Sequence, residues 1–407
     1  MGAENKTASG HKPKPLAGVR VIEFGTLIAG PFCARILAEF GAEVIKIESP
    51  DGGDPLRQWR KLHEGTSLWW YVQARNKKSV ALNLKDPEAA AVARKLCASA
   101  DIVIENFRPG VMEKLGLGWE ALSAENPGLV MVRLSGFGQT GPMASKPGFG
   151  AIGESMGGLR YVTGFPDRPP VKSGISIGDS IAGLWGAIGA LMALRHREVN
   201  GGGGQLVDVA LYEAVFAMME SMVPEFAVAG MVRERTGNVM PGITPSNTHT
   251  TRDGVHIVIG ANGDAIFRRL ALAMGRPDLA EDAALAGNAG RSARADELYA
   301  IIDGWVAAHD AAEILPLLEA AEVPATQVYS VADMFRDAQF AARDMLQETQ
   351  LADGTSFTMP GVVPRLEGTP GGTEWLGPRL GEHTAEVLAS LGLDSGLIAR
   401  LSPERPA

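Results

Sequence analysis

The first 135 residues alternate short apolar runs with stretches of helical period. GVRVIEF is followed by PFCARILAEFG, then come EVIKIES, SVALNL with PEAAAVARKLCASA, DIVIENF with MEKLGLGWEALSAENP, and GLVMVRLSGFG. Strands spaced by helices of that length form βαβ units, hence a parallel sheet with helices on both faces. The expected fold class is α/β with a Rossmann-like sheet.

Beyond the sheet the pattern changes. A Gly/Pro-rich connection, Gly136 to Ser173, leads to a helix from Ser180, and NGGGGQ (Asn200 to Gln205) has the composition of a turn. LVDVALYEAVFAMMESMVPEFA begins as a strand and continues as one long helix, and Met231 to Pro245 has linker composition. GVHIVIGA then gives a strand, AIFRRLALAMG and the Ala-rich run to about Glu322 give helices, and HTAEVLASLG closes the chain. The expected division is a flexible tail over 1–15, a large domain over 16–225, a linker over 226–245, a smaller α+β domain over 246–328, and a return to the large domain over 329–407.

Charge narrows the function classes. With 38 basic and 47 acidic residues the net charge is −9, so no global field attracts nucleic acid or an anionic membrane, and an anionic ligand needs local cations. Cys33 and Cys97 sit inside apolar helical stretches without a CxxC or Cys/His pairing, as buried thiols of a reducing compartment do. The polar N-terminus has no apolar signal core, and the apolar run Ile181 to Leu194 is shorter than the roughly 20 residues of a membrane span. These features predict a cytoplasmic enzyme with that run as a buried helix. No His/Cys/Asp cluster has metal-ligand spacing, so no metal is expected.

A nicotinamide reading fails on its motif. Gly25 to Gly30 (GTLIAG) follows the first strand without the GxGxxG fingerprint that lets backbone approach a pyrophosphate. The loops RNKKS (Arg75, Asn76, Lys77, Lys78, Ser79) and ENFRPGVMEK (Asn106, Phe107, Arg108, Lys114) instead gather cations and an aromatic ring fit to grip a phosphorylated adenosine. Taken singly, each is a solvated surface charge.

In order and spacing, PLAGVRVIEF, AGPFCARILAEFGAEVIKIESPDGGDPLR, ARNKKS, VIENFRPGVMEKLGL, SGFGQTGP, GDSIAGLWGAIGALMAL, GQLVDVALYEAV and LGEHTAEVLASLGL resemble the class III CoA-transferases, the family of formyl-CoA transferase and crotonobetainyl-CoA:carnitine CoA-transferase. The resemblance implies an interlocked ring homodimer, each chain having a large domain built from both chain ends and a smaller inserted one. It implies Asp179 as the catalytic aspartate, and contacts to coenzyme A, carried as acyl-CoA, around Ile28, Arg75, Lys77, Asn106, Phe107, Lys114 and Phe137. The partners implied are an acyl-CoA and a small carboxylic acid.

Asp179 in SIGDSIAGLWGAIGALMAL suits that role, because helix-entrance N–H groups stabilise a carboxylate and covalent catalysis needs an ionised, shielded nucleophile. Read locally, Asp179 or Ser180 is a helix N-cap. Departures limit the substrate: Ile28 stands where formyl-CoA transferases carry a glutamine, which argues against oxalate and formate. The related α-methylacyl-CoA racemase needs a histidine and an acid where Phe149 and Gly150 stand, so an isomerase is the weaker alternative beside a nicotinamide-dependent oxidoreductase. His249, where the smaller domain begins, has a surface or hydrogen-bonded structural role in preference to an approach to the active site, and His383 has a capping and packing role. Arg160 and Lys172 are the candidates to pair a second carboxylate, favouring a short acyl-CoA such as succinyl-CoA as donor.

Overall fold

The computed structural model describes residues 14–402. Of the tail expected over 1–15, residues 1–13 lie outside the described residues, while Lys14 is ion-paired with Glu374 at 2.5 Å. The chain forms two compact units. One comprises residues through Leu159, Ser173–Gly230 and Asp344 onward; the other comprises Arg160–Lys172 and Met231–Arg343.

Six parallel strands organise the first unit: β1 (Arg20–Glu23), β2 (Glu43–Glu48), β3 (Lys77–Ala81), β4 (Ile102–Glu105), β5 (Val130–Ser135) and β6 (Leu206–Ala210). Their order is β3-β2-β1-β4-β5-β6, a doubly wound arrangement whose direction of winding reverses between β1 and β4. Alternate residues serve opposite faces. Val21, Val44, Ile102, Ile104, Val130 and Val132 pack with helices α1 (Ala29–Glu39) and Ile177–Asn200, whereas Ile22, Ile45, Val80, Val103 and Met131 pack with α2 (Pro87–Ala98) and α3 (Trp119–Glu125). Helix α2 starts as its sequence dictates: Asp86 accepts the Glu88 N–H at 2.9 Å and Pro87 occupies the first turn.

Edge strand β3 is closed by the returning chain. The Asn76 side chain bonds Gly372 O and the Glu374 N–H, Trp375 Nε1 donates to Lys77 O, and the Ala81 N–H donates to Thr384 Oγ1. These bonds occupy polar groups that an edge would otherwise leave open.

Three sequence expectations are corrected. The helix expected across MEKLGLGWEALSAENP is broken at Gly116, whose φ of +70° favours glycine, into Val111–Lys114 and α3. The helix expected from Ser180 begins at Ile177, after α4 (Gly150–Met156), and is α5 (Ile177–Asn200). The long helix expected after β6 is two, α6 (Leu211–Phe216) and α7 (Met222–Ala229), separated by a turn in which Glu220 has φ +49°.

Helix α5 also departs from the buried helix expected of its apolar run. Gly183, Gly186, Ala187, Ala190 and Ala193 face the core, while Leu184, Trp185, Ile188, Leu191 and Met192 are exposed. Small residues permit close approach: a Cβ at Gly183 would lie 2.8 Å from Ala29 O, and one at Gly189 2.5 Å from Val207 Cγ1. By length and apolarity this 24-residue helix would suffice to cross a membrane, yet its small-residue face is packed against protein.

The second unit has a three-stranded antiparallel sheet, Ala325–Gln327, His256–Gly260 and Ser246–Thr250, the middle strand flanked by the other two. Helices Asp264–Ala273, Ala295–Ala307 and Ala311–Ala320 bury Leu270, Ile302, Ile314 and Leu318 against Ile257 and Ile259.

Candidate active site

Asp179 lies in the first turn of α5, and the N-cap is Ser176 rather than Asp179 or Ser180. Its carboxylate is seated against α4: a Cβ on Gly150 would fall 2.0 Å from Asp179 Oδ2, so only glycine leaves room for it. One turn further, the close contact of Gly183 with Ala29 joins this entrance to the segment between β1 and α1.

That segment follows the C-terminal end of β1, beside the reversal point where open α/β sheets receive ligands. Several backbone polar groups in it, and one at the start of α1, are held by side chains. Lys46 Nζ donates to Gly25 O at 2.5 Å, Asn106 accepts from Thr26 N at 2.7 Å and donates to Thr26 O at 2.9 Å, Asp54 accepts from Leu27 N at 3.0 Å, Gln73 donates to Ile28 O at 3.0 Å, and Lys77 donates to Pro31 O at 2.8 Å. Leu27 has φ +63°, unfavourable for a branched side chain and held by these bonds.

The clamp is a buried charge network. Lys46 Nζ lies 2.8 Å from Glu23 Oε1 and 2.9 Å from Asp54 Oδ2, Lys77 Nζ lies 2.7 Å from Glu23 Oε2, and Arg57 pairs with Glu48 at 2.8 Å. Burial alone would raise the Asp54 carboxyl, but Lys46 and the Leu56 and Leu27 amides outweigh it and hold it below its ordinary range. Glu48 is lowered likewise, burial being overcome by Arg57, Lys46 and Ser79. Burial pushes the Lys77 ammonium down to about 8 against the pull of Glu23, and burial raises both thiols.

Comparison with known proteins decides the family. The model described as CoA-transferase family III matches residues 16–384. The chain belongs to CoA-transferase family III. The transferase is 50% identical to a succinyl-CoA–D-citramalate CoA-transferase of Chloroflexus aurantiacus, over 98% of this chain and 99% of the relative. It is 45% identical to the beta subunit of a succinyl-CoA–L-malate CoA-transferase of the same organism, over 93% and 94%. Among solved structures, a CAIB/BAIF family protein from Brucella suis superposes with a TM-score of 0.83 at 33% identity, covering 93% of this chain and all of that one.

The residues singled out in the transferase's sequence separate into two groups. Ile28, Asn106, Phe107 and Phe137 follow the C-terminal ends of β1, β4 and β5, and Lys114 is exposed beyond β4. Phe137 is buried, its ring 6.4 Å from that of Tyr212. Arg75 and Lys77 are 2% and 0% exposed. Arg75 Nε donates to Glu39 at 2.7 Å and Nη1 to Pro360 O at 2.7 Å, so both cations are bound inside the protein.

Phe149, where the resemblance to the racemase would require a histidine, is 66% exposed and has no titratable group. In the second unit, His249 is buried with Nδ1 2.6 Å from Asp303 Oδ1, and Arg160 and Lys172 belong to that unit too. His383 occupies the N-cap of Thr384–Ser390 without capping it; its Nδ1 accepts the Ser79 N–H at 3.2 Å. Among the described residues no group of three or more His, Cys, Asp or Glu could hold a metal ion.

Sequence reasoning missed Glu23, Lys46, Glu48, Asp54 and Gln73 in the clamp, and Gly150 and Glu154 beside Asp179. A signal existed for the strand residues: inner parallel strands read as apolar runs, so charges in RVIE and EVIKIE require buried partners.

Proposed function

We propose that the enzyme transfers CoA from succinyl-CoA to a short dicarboxylic acid of the malate and citramalate class through a covalent intermediate on Asp179. The near full-length likeness to the D-citramalate enzyme carries the substrate assignment. The seat of Asp179 at the entrance of α5 supports the mechanism, since first-turn amides favour a carboxylate there.

Asp179 attacks the thioester carbonyl; a C–O bond forms, the C–S bond breaks, and CoA leaves as thiolate from a mixed anhydride. The thiolate attacks the aspartyl carbon, giving an aspartyl-CoA thioester and free succinate. The acceptor carboxylate then attacks that thioester, and the expelled thiolate takes the acceptor acyl group from the second anhydride, regenerating the Asp179 carboxylate. Splitting one exchange into four displacements is covalent catalysis, and excluding water protects the anhydrides from hydrolysis.

In this reading Ile28, Asn106, Phe107, Lys114 and Phe137 border the CoA, while Arg75 and Lys77 act through the backbone they hold. The working form is a cytoplasmic homodimer, interlocked as the family resemblance implies; the exposed Leu184, Trp185, Ile188, Leu191 and Met192 face of α5 supports a subunit contact. Asp179→Ala is expected to abolish transfer from succinyl-CoA to malate or citramalate while leaving CoA binding intact. In the wild type, oxygen from an ¹⁸O-labelled acceptor carboxylate should appear in the peptide containing Asp179. Full turnover by the variant, or an unlabelled peptide, would refute the mechanism.

A further inference from the structure

The first turn of α5 takes its capping acceptor from a different helix. Ser176, at the N-cap, makes no side-chain bond to the turn's amides. Instead Glu154 Oε1, on α4, accepts the Gly178 N–H at 3.3 Å. Glu154 is 1% exposed, an unusual place for a carboxylate. It lies four residues after Gly150 and so on the same helix face. Gly150 meets the Asp179 carboxylate, and Glu154 meets Gly178, the residue before it. The approach of the two helices here needs glycine at 178, since a Cβ there would lie 2.9 Å from Glu154 Cγ and 3.1 Å from Gly150 O.

We propose that Glu154 is a positioning residue for Asp179: a cap lent by α4 that locks the first turn of α5 and fixes the direction in which the nucleophilic carboxylate points. The inference rests on the reading of Asp179 as nucleophile. What the lock requires is an acceptor oxygen at this reach, not a negative charge. Glutamine keeps that oxygen at the same length, alanine removes it, and leucine fills the space without it.

The test measures exchange of labelled succinate into succinyl-CoA by the full-length enzyme, which needs no knowledge of the acceptor acid. Glu154→Ala is expected to lower kcat about 30-fold with KM for succinyl-CoA within about twofold, because displacing a reacting group by about 1 Å costs up to about 100-fold. Glu154→Gln is expected to keep kcat within about threefold of wild type. Should the alanine variant not fold, Glu154→Leu takes its place with the same expected loss.

The proposal is overturned if the acceptor-free variants keep wild-type kcat, if Glu154→Gln loses as much as they do, or if KM rises in step with the fall in kcat. Failure of the underlying reading looks different: Asp179→Ala would then sustain exchange. If instead Asp179→Ala is inactive and Glu154→Ala normal, only the positioning role fails.

Discussion

Two segments of the larger unit meet where Ala29 touches Gly183, and they are held by opposite means. The segment after β1 is fixed by charge: Lys46, Lys77 and Asp54, all buried, reach its backbone, Lys46 pairs with Asp54, and both lysines pair with Glu23. Among the described residues the entrance of α5 carries no such charge network: glycines at 150, 178 and 183 leave no space for a methyl group, and one bond from Glu154 caps the turn. A charge clamp tolerates small changes in volume but not loss of a partner, because a single buried charge left behind is costly. A steric seat tolerates changes of charge elsewhere but not one extra carbon.

The largest expected effect attacks the charge clamp. Lys46→Met leaves Glu23 and Asp54 without their shared cation and should cost about 3–5 kcal/mol of stability in denaturant unfolding. Next, Gly150→Ala should lower kcat about 100-fold while the melting temperature stays put or rises, since alanine favours a helix more than glycine and the damage falls on the Asp179 carboxylate. A melting temperature that drops as far as in Lys46→Met would erase the contrast between the two segments.

The smallest effect concerns acid. Asp54 and Glu48 have folded-state pKa values below their unfolded ones, so at low pH the unfolded chain binds more protons. Their contribution is full above the unfolded values of about 4 and is lost as pH falls through the lower folded values. Thermal melts should therefore decline below about pH 4, and Asp54→Asn should decline less steeply over that range. Equal slopes for the two proteins would remove Asp54 from the acid response.

Much of the sheet was legible because its signal is local. Runs such as DIVIENF and GLVMVRLSGFG contain β4 and β5, and PEAAAVARKLCASA with Asp86 and Pro87 before it contains α2. Asp179 near a helix start was legible for the same reason, though Ser176 proved to be the cap residue. Partnership was not legible. RNKKS showed which residues are polar, but only the fold shows that Lys77 binds Glu23 and Pro31 O inside the protein. The apolar run of α5 gave no hint of which face turns outward, because burial there selects for small residues and leaves the large ones exposed.

The bonds from Gly372, Glu374, Trp375 and Thr384 to the edge of β3 set a timetable for biosynthesis. All six strands have been translated by Ala210, yet the segment that seals the β3 edge of the sheet is among the last to be made. At roughly 5–20 residues per second, the nascent chain carries an unsealed strand for on the order of ten seconds. A message truncated shortly before codon 372 would therefore yield a polypeptide with every strand and an open border.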